Sequence, residues 1–361
     1  MKKILYYCGW GGFGHIARAY SIAKFLDFAE VTVISAEKWI FPKLPNLEYV
    51  EMSEPKSRFR LDGEKIILQN YGEKSDAIGY RKHLFEFFDL LKKIEPDLVI
   101  IDNPAELAIY AKMLGFKTLI VYETLKSEDL RWRLAWDNVD KIIVPYTKEF
   151  ALDLNFKHED NALFAGGYTR FEDDERNRKQ ARIDLKILDN EKLILLAVGK
   201  GKGGGEVAEA IASKISKLKK YRIIFPYFVP DVWLSEFQQL YPTIEVVSGK
   251  TDLSPYLAAA DIFIGGAGFN TLMEACQFQV PAIFLPLDRI YGEQYNKAKT
   301  IARLGAGRMV MTTSRGWLGQ IEKEIKDLCN PKVAAKMREA QRRIVDDHGA
   351  RRVVHFIKEI I

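Results

Sequence analysis

Short runs of uninterrupted apolar residues, spread along the whole chain, constrain its fold more than any other feature. Leu98–Ile101 and Ile262–Ile264 are apolar at every position, which is typical of parallel strands covered on both faces. Between such runs, apolar residues recur at helical spacing, as in the segment 16–26. This alternation predicts an α/β fold with two Rossmann-like, doubly wound parallel sheets. The predicted strands are 4–8, 31–35, 98–101, 118–122, 141–144, 193–198, 222–225, 244–247, 262–265, 282–285 and 308–311.

The length of the chain and one stretch in its middle predict two domains. A chain of 361 residues is longer than one ordinary core organises. The pair Gly166-Gly167 and the acidic run 172–175 mark the joint between the two halves. The predicted parts are an N-terminal Rossmann-like domain over 1–167, a C-terminal one over 168–335, and C-terminal helices over 336–361 that pack back on the first domain.

The composition excludes several classes of protein. With 48% hydrophobic and 29% charged residues, the chain is typical of a soluble globular protein, and no segment approaches the roughly 20 apolar residues that span a bilayer. The apolar run near residue 4 is too short for a signal peptide. Cys8, Cys276 and Cys329 lie far apart, as buried thiols do in a reducing compartment. We therefore expect a cytoplasmic protein.

The charge distribution indicates the kind of ligand. The net charge is +5, and the basic excess lies in the second half of the chain, which favours an anionic ligand there. Basic residues alternate with acidic ones instead of clustering, which argues against a nucleic-acid partner. The sequence contains no Asp-x-Asp motif, no metal-type spacing of histidines and no Gly-x-Ser-x-Gly elbow, so we expect neither a metal, another cofactor nor a serine nucleophile.

A glycine-rich turn that ends in a histidine follows the first predicted strand. Residues 9–15 read Gly-Trp-Gly-Gly-Phe-Gly-His, and a helical pattern begins directly after them. A strand, a glycine turn and a helix together bring backbone amides close to a ligand. An imidazole at such a turn can take a proton near neutral pH, so His15 is a candidate catalytic base.

A second glycine-rich turn, at residues 265–268, joins a predicted strand to a predicted helix. The unpaired amides and the dipole of that helix favour a phosphate at its start. Glu274 lies six residues after Gly268, roughly 9 Å along the helix, where a carboxylate can accept hydrogen bonds from both hydroxyls of a ribose. The alternative is that the glycines serve only close packing and that Glu274 is a surface residue.

Two further segments are candidates for the same ligand. The turn 199–205 is rich in glycine and carries Lys200 and Lys202, which can meet a diphosphate, although it lacks the Lys-Ser/Thr ending of a P-loop. The loop after strand 282–285 ends in Glu293 and Gln294, which can bind the hydroxyls of a sugar. By itself this loop could equally be an ordinary surface loop.

At these motifs the chain resembles a known family over its whole length: the GT-B glycosyltransferases, and among them family 28, the MurG-like UDP-N-acetylglucosamine transferases. Gly11 to His15 resembles the family's N-terminal glycine–histidine loop. Gly268, Thr271 and Glu274 resemble its nucleotide-binding helix, and Gln294-Tyr295 resembles its sugar-contacting segment.

The resemblance implies a role for each matching residue. His15 would be the base, or would orient the acceptor hydroxyl, and Arg170 would contact phosphate. The implied donor-binding residues are Arg170, Gly199, Gly201, Lys202, Gly266, Gly268, Asn270, Thr271, Glu274, Glu293 and Gln294. The implied acceptor-side residues are Gly11, Gly12, Gly14, Arg18 and Glu123. The chain departs from the family at 199–203, where a serine contact is lost, and at 121–125, so the peptidoglycan precursor does not follow as the acceptor.

The expected function is therefore an inverting, metal-independent glycosyltransferase that moves a sugar from a nucleotide sugar, a UDP-sugar by resemblance, to a hydroxyl of a glycan or lipid-linked acceptor. The segment 12–18 is also similar to nucleotide-sugar hydrolases, in which the histidine activates water. A nucleotide-sugar hydrolase and a non-catalytic nucleotide-sugar-binding protein stay open as alternatives.

Two segments bear on the acceptor. The predicted helix 80–94 has an ordinary core face and a far side of mixed charge, so peripheral contact with the inner face of the membrane also stays open. Trp132 and Trp136 would share one face of a helix and either stack on an acceptor sugar or pack internally.

Overall fold

The computed structural model describes residues 1–9, 12–52, 57–62, 65–70, 77–122, 130–174, 177–198, 204–218, 220–227, 232–249, 252–288 and 292–361. The chain forms two compact units. The first unit contains residues 1–148, 155–170 and 348–361, and the second contains 149–154 and 171–347. The chain therefore leaves the first unit and returns to it near the C-terminal end of the sequence.

The first unit is built on a seven-stranded sheet whose paired neighbours all run parallel. Its strands are β1 (Lys2–Tyr7), β2 (Ala29–Ser35), β3 (Leu47–Glu51), β6 (Leu98–Ile101), β7 (Thr118–Val121), β8 (Lys141–Val144) and β9 (Ala162–Phe164). Two further strands, β4 (Ser57–Asp62) and β5 (Lys65–Asn70), form a separate antiparallel pair. The sheet order is β3-β2-β1-β6-β7-β8-β9. The order reverses between β1 and β6, which is where α/β sheets bind their ligands.

Helices cover the sheet of the first unit. They are α1 (Phe13–Ala23), α2 (Ala77–Ile94), α3 (Ala105–Met113), α4 (Leu130–Asn138) and α14 (Gly349–Ile360), with a short 3-10 helix at Glu159–Asn161. On one face, Ile16 of α1 and Val353 of α14 join the strands in a continuous apolar core. This packing explains why the strands are apolar at consecutive positions: neither face of the sheet is left to solvent.

The second unit repeats the same plan with six parallel strands. They are β10 (Lys192–Ala197), β11 (Tyr221–Tyr227), β12 (Ile244–Ser248), β13 (Ile262–Gly266), β14 (Ala282–Leu285) and β15 (Arg308–Met309), in the order β12-β11-β10-β13-β14-β15. The helices are α5 (Lys148–Asp153), α6 (Arg178–Asp184), α7 (Gly204–Ile215), α8 (Val232–Leu240), α9 (Ser254–Ala259), α10 (Phe269–Gln277), α11 (Glu293–Arg303), α12 (Trp317–Leu328) and α13 (Pro331–Arg342). The order reverses between β10 and β13.

The prediction of two doubly wound parallel sheets is confirmed. Residues 149–153 of α5 lie in the second unit, where Asp153 accepts a hydrogen bond from Thr300 at 2.6 Å and pairs with Arg303. Helix α13 also lies in the second unit, and α14 lies in the first. Among the described residues, no helix is both long enough and apolar enough to cross a bilayer.

Candidate functional site

The histidine turn of the first unit lies at the point where its strand order reverses. The carboxyl ends of β1 and β6 are in register, with Tyr7 opposite Ile101. Gly9, which follows β1, has a positive φ of 77°, and a Cβ there would overlap the carbonyl of Asn103, so only glycine fits. Gly12 also has a positive φ, of 118°, at the start of α1. The glycines thus shape a turn that brings α1 and His15 up to the end of β6.

His15 belongs to a buried network with Arg18 and Asp102. The Nε and Nη2 of Arg18 donate to the two carboxylate oxygens of Asp102 at 3.0 and 2.5 Å. The same Nη2 lies 2.8 Å from Nδ1 of His15, which is 3.4 Å from Oδ1 of Asp102. Asp102 is fully buried, whereas 14% of the His15 side chain is exposed. The imidazole is therefore the member of the network that can meet a ligand.

Sequence reasoning missed Asp102. The residue directly follows β6, whose continuous apolar run was recognised, and its amide donates to the carbonyl of Tyr7 at 2.9 Å. In a parallel sheet the carboxyl ends of neighbouring strands meet at one edge, so a charged residue after β6 was a detectable signal. What the sequence lacked was the pairing of β1 with β6, which places Asp102 beside the histidine turn.

Two other polar side chains lie beneath this network. Burial, with a smaller contribution from the charge of Asp102, raises the pKa of the Cys8 thiol and of the Tyr6 hydroxyl well above their ordinary values. Both groups therefore stay protonated at neutral pH, and a thiolate nucleophile at Cys8 is not favoured.

The glycine turn of the second unit lies where its own strand order reverses. β13 ends at Gly266, and α10 begins after Gly268, which has no side chain to cap the helix. A Cβ at Gly265 would lie 2.6 Å from the Phe263 ring, so that glycine serves close packing. At Gly266 and Gly268 a Cβ would make only ordinary contacts, at 3.6 and 3.9 Å. The backbone therefore leaves space at the helix start, where amides favour an anion.

Glu274 occupies the second turn of α10 and is 6% exposed, so the alternative of a surface residue is wrong. Asn270 and Thr271, in the first turn, are half-buried. Glu274 thus lies inside the second unit, on the helix that begins after this turn, and a carboxylate there can accept hydrogen bonds from hydroxyl groups.

Gln294 ties two loops of the second unit together. Its Oε1 accepts hydrogen bonds from the amides of Ala267, after β13, and Leu287, after β14, at 3.2 and 3.0 Å. The residue is 6% exposed. Because Oε1 is occupied by two backbone donors, the Nε2 amide remains as the group of Gln294 that can donate to a ligand. Glu293 pairs with the buried Lys297 at 3.0 Å.

The remaining predicted residues are distributed as follows. Arg170 is the last residue of the 155–170 segment of the first unit. Its guanidinium lies over the Phe41 ring at 5.9 Å, and its carbonyl accepts a hydrogen bond from Lys24. Gly14 is exposed in the first turn of α1. Gly11, Glu123, Gly199, Gly201 and Lys202 lie outside the described residues.

Two further sequence questions concern the tryptophans and metals. Trp132 and Trp136 are 3% and 2% exposed, with ring centroids 5.8 Å apart, which favours internal packing over stacking on a sugar. Within the described part of the chain, no group of three His, Cys, Asp or Glu residues is arranged to hold a metal ion.

Comparison with known proteins bears on the whole chain. Residues 228–352 match the model of the glycosyltransferase family 28 C-terminal domain. The chain is 27% identical over 323 residues to the UDP-N-acetylglucosamine–N-acetylmuramyl-(pentapeptide) pyrophosphoryl-undecaprenol N-acetylglucosamine transferase of Staphylococcus epidermidis, covering 86% of both chains. It is 26% identical to the protein of the same name from Clostridioides difficile, covering 86% of this chain and 77% of that one.

The fold has close counterparts among solved structures. The crystal structure of Acinetobacter baumannii MurG superimposes with a TM-score of 0.66 at 17% identity, covering 99% of this chain and all of that one. The sequence motifs, the two parallel sheets and these similarities lead to one conclusion: the chain is a MurG-like glycosyltransferase with the GT-B fold.

Proposed function

We propose that the chain transfers N-acetylglucosamine from a UDP-sugar to a hydroxyl of a lipid-linked acceptor, with inversion at the anomeric carbon and without a metal ion. The observation that carries the proposal is the buried Glu274 on a helix that begins after Gly266 and Gly268, two glycines that packing does not require, in the segment that matches the family 28 domain. The curated relatives are named for this sugar and for an undecaprenol-linked acceptor.

The donor side of the reaction belongs to the second unit. The first amides of α10 and the helix dipole would hold the diphosphate, and Glu274 would accept hydrogen bonds from the ribose hydroxyls. The Nε2 group of Gln294 would donate to a hydroxyl of the sugar. When the bond between the anomeric carbon and the diphosphate breaks, its electron pair leaves with UDP. Amides that are already aimed at the diphosphate would stabilise that charge without a metal ion.

Proton transfer belongs to the first unit. As the acceptor oxygen bonds to the anomeric carbon, its proton would pass to His15, the partly exposed member of the Asp102 network. A single displacement of this kind inverts the anomeric configuration, since the acceptor enters opposite the leaving diphosphate.

The test is a transfer assay with UDP-N-acetylglucosamine and a lipid-linked sugar diphosphate, run in the presence of EDTA. His15→Ala should lower the transfer rate about 10²–10⁴-fold while leaving the affinity for UDP nearly unchanged. His355→Ala, at an exposed histidine of α14, is the control and should behave as the native protein does. The anomeric configuration of the product, read by NMR, tests inversion.

Other outcomes of that assay would support the alternatives. Rapid release of UDP without acceptor would indicate a nucleotide-sugar hydrolase. Tight binding of the donor with no turnover under any acceptor would indicate a binding protein. If the His15→Ala variant transferred the sugar at the native rate, His15 would not be the catalytic base.

We also propose that the protein, in the cytoplasm, touches the inner face of the membrane through α2. Ile78 and Phe85 are 79% and 60% exposed, and the exposed Arg81 and Lys82 lie between them on the same face. Two apolar side chains flanking Arg81 and Lys82, the latter 3.7 Å from Glu86, suit contact with lipid headgroups. Sedimentation with vesicles that contain phosphatidylglycerol tests this: Ile78→Ser with Phe85→Ser should weaken binding several-fold, whereas Met113→Ser, at an exposed methionine of α3, should not.

A further inference from the structure

Arg18 forms hydrogen bonds with both His15 and the carboxylate of Asp102. The two residues are one helical turn apart on α1, so their side chains are neighbours. Arg18 is 5% exposed and gives one N–H to each oxygen of Asp102, at 3.0 and 2.5 Å. Its Nη2 also reaches Nδ1 of His15 at 2.8 Å.

The direction of the hydrogen bond between Arg18 and His15 follows from chemistry. A guanidinium carries five N–H donors and no acceptor, so Nδ1 of His15 must be the acceptor. An Nδ1 that accepts carries no proton, and the proton of the neutral ring is then on Nε2. The 3.4 Å from Nδ1 to Oδ1 of Asp102 is also long for a hydrogen bond that would hold a proton on Nδ1.

We propose that Arg18 is a positioning residue that sets the tautomer of His15. Its hydrogen bond to Nδ1 keeps the imidazole proton on Nε2. As long as this hydrogen bond persists, Nε2 can donate a proton but cannot accept one. The proposal rests on the assignment of His15 as the base in the proposed function. When Arg18 releases Nδ1, Oδ1 of Asp102 needs to approach by only a few tenths of an ångström to accept a proton there. The lone pair then lies on Nε2, where a base needs it.

This arrangement has a consequence for side reactions. In hydrolysis, the oxygen of water attacks the anomeric carbon, a water proton passes to Nε2, and the bond to the diphosphate breaks with its electrons on UDP. A ring whose Nε2 already carries a proton cannot take that proton. Arg18 would therefore suppress loss of the donor to water until the acceptor is in place, which separates a transferase from a hydrolase with the same loop.

The first test measures the tautomer in the native protein without substrate, and a variant serves only to assign the signals. The chain has 5 histidines, so a long-range proton–nitrogen NMR spectrum of protein labelled at histidine resolves few rings, and His15→Gln identifies the His15 signals by their loss. At about pH 8.5, where an ordinary imidazole is neutral, we expect the Nε2–H tautomer at His15. An Nδ1–H tautomer in the native protein would overturn the proposal.

The second test changes the residue itself. Arg18→Gln should move His15 to the Nδ1–H tautomer, because Oδ1 of Asp102, 3.4 Å away, can then accept a proton from Nδ1. It should also raise UDP release without acceptor about tenfold or more. Arg133→Gln, at an exposed arginine of α4, is the control and should change neither quantity. A folded Arg18→Gln protein with an unchanged tautomer, or with unchanged UDP release, would contradict the proposal.

These outcomes are distinguishable from failure of the proposed function. The tautomer is read in the absence of donor and acceptor, so it stands or falls without any transfer reaction. If Arg18→Gln does not fold, the native spectrum alone still decides the tautomer. Conversely, a protein that lacks transferase activity with the acceptor tested can still show the Nε2–H form.

Discussion

At the scale of single residues, the proposal for the second unit depends on Glu274. It is buried in the second turn of α10, and packing does not require the glycines at 266 and 268 before that helix. A ribose is recognised through its two vicinal hydroxyls, and a carboxylate is the side chain that can accept from both.

Glu274→Ala should weaken UDP binding about 10- to 100-fold, since hydrogen bonds to a charged group contribute about 1.5–3 kcal/mol. The native protein should also prefer UDP over 2′,3′-dideoxy-UDP, and the variant should lose that preference. Titration calorimetry measures both, with Glu339→Ala at an exposed position of α13 as the control. Equal loss of affinity for both nucleotides would mean that Glu274 does not read the ribose.

The residues of the candidate site differ in how far the sequence could identify them. Gly268 caps the helix that contains Glu274, so their spacing alone places them about 1.7 helical turns apart. Asp102 and His15 are brought together by the pairing of β1 with β6, which is a long-range contact. The tautomer of His15 depends on a third residue and on distances of a few tenths of an ångström, which no spacing in a sequence specifies.

At the scale of elements, most strands were predictable, whereas β3 and β9, at the two edges of the first sheet, were not. β3 at the edge of its sheet has side chains that are half-buried or exposed, so it lacks the apolar run that identified β6. The antiparallel pair β4 and β5 stands apart from both parallel sheets. Burial on two faces produces the signal that sequence reasoning used, and β3 does not have it.

Helix α14 depends on a glycine at its first position. A Cβ at Gly349 would overlap the carbonyl oxygen of Gly167, so the helix start and the chain before Arg170 touch backbone to backbone. Gly349→Ala should lower the free energy of unfolding by about 2–3 kcal/mol, because backbone atoms cannot yield as a side chain can. Gly319→Ala, in α12 with open space around it, should instead raise it by about 0.5–1 kcal/mol. Thermal denaturation of both variants checks the pair; equal effects would contradict the packing argument.

A carboxylate hydrogen-bonded to the start of β7 stabilises the folded state to an extent that depends on pH. Asp140 accepts hydrogen bonds from the Thr118 amide at 2.7 Å and from Lys112 at 2.6 Å. Partial burial raises the pKa of Asp140, but these hydrogen bonds outweigh burial and leave the pKa below its ordinary value. The folded state thus favours the ionised carboxyl, which stabilises the fold above about pH 4 and stops doing so as the pH falls through the lowered pKa.

Asp140→Asn should therefore cost about 1 kcal/mol at pH 7, a modest value because the side chain is 34% exposed and screened by solvent. The difference from the native protein should shrink toward zero in strong acid. Urea unfolding between pH 7 and pH 2 measures it, with Asp89→Asn on the exposed side of α2 as the control. If the difference in unfolding free energy between the variant and the native protein stayed constant down to pH 2, the charge of Asp140 would not be its cause.

At the scale of the whole molecule, the two units have separate cores, and only the first depends on residues from the C-terminal stretch. Val353 and Ile357 of α14 are fully buried in the first core, next to Ile16 and Ile22 of α1. The second core draws on residues between 194 and 337.

Removing residues 348–361 should therefore expose the apolar side of α1 and destabilise the first unit by about 3–6 kcal/mol, from two large side chains. The second unit should keep its affinity for UDP. Hydrogen exchange followed by mass spectrometry checks this: exchange should rise in α1 and β1 and stay unchanged in α10. A uniform rise across both units would mean that they unfold as one.

The return of α14 to the first unit also sets the order in which the ribosome can finish the two halves. Residues 348–361 are synthesised only after the whole of 171–347, so the second unit has all of its residues first. At ordinary rates of synthesis the first half waits on the order of ten to forty seconds with one face of α1 uncovered. During that interval the nascent N-terminal half is a natural client for chaperones, and the synthesis of α14 ends that interval.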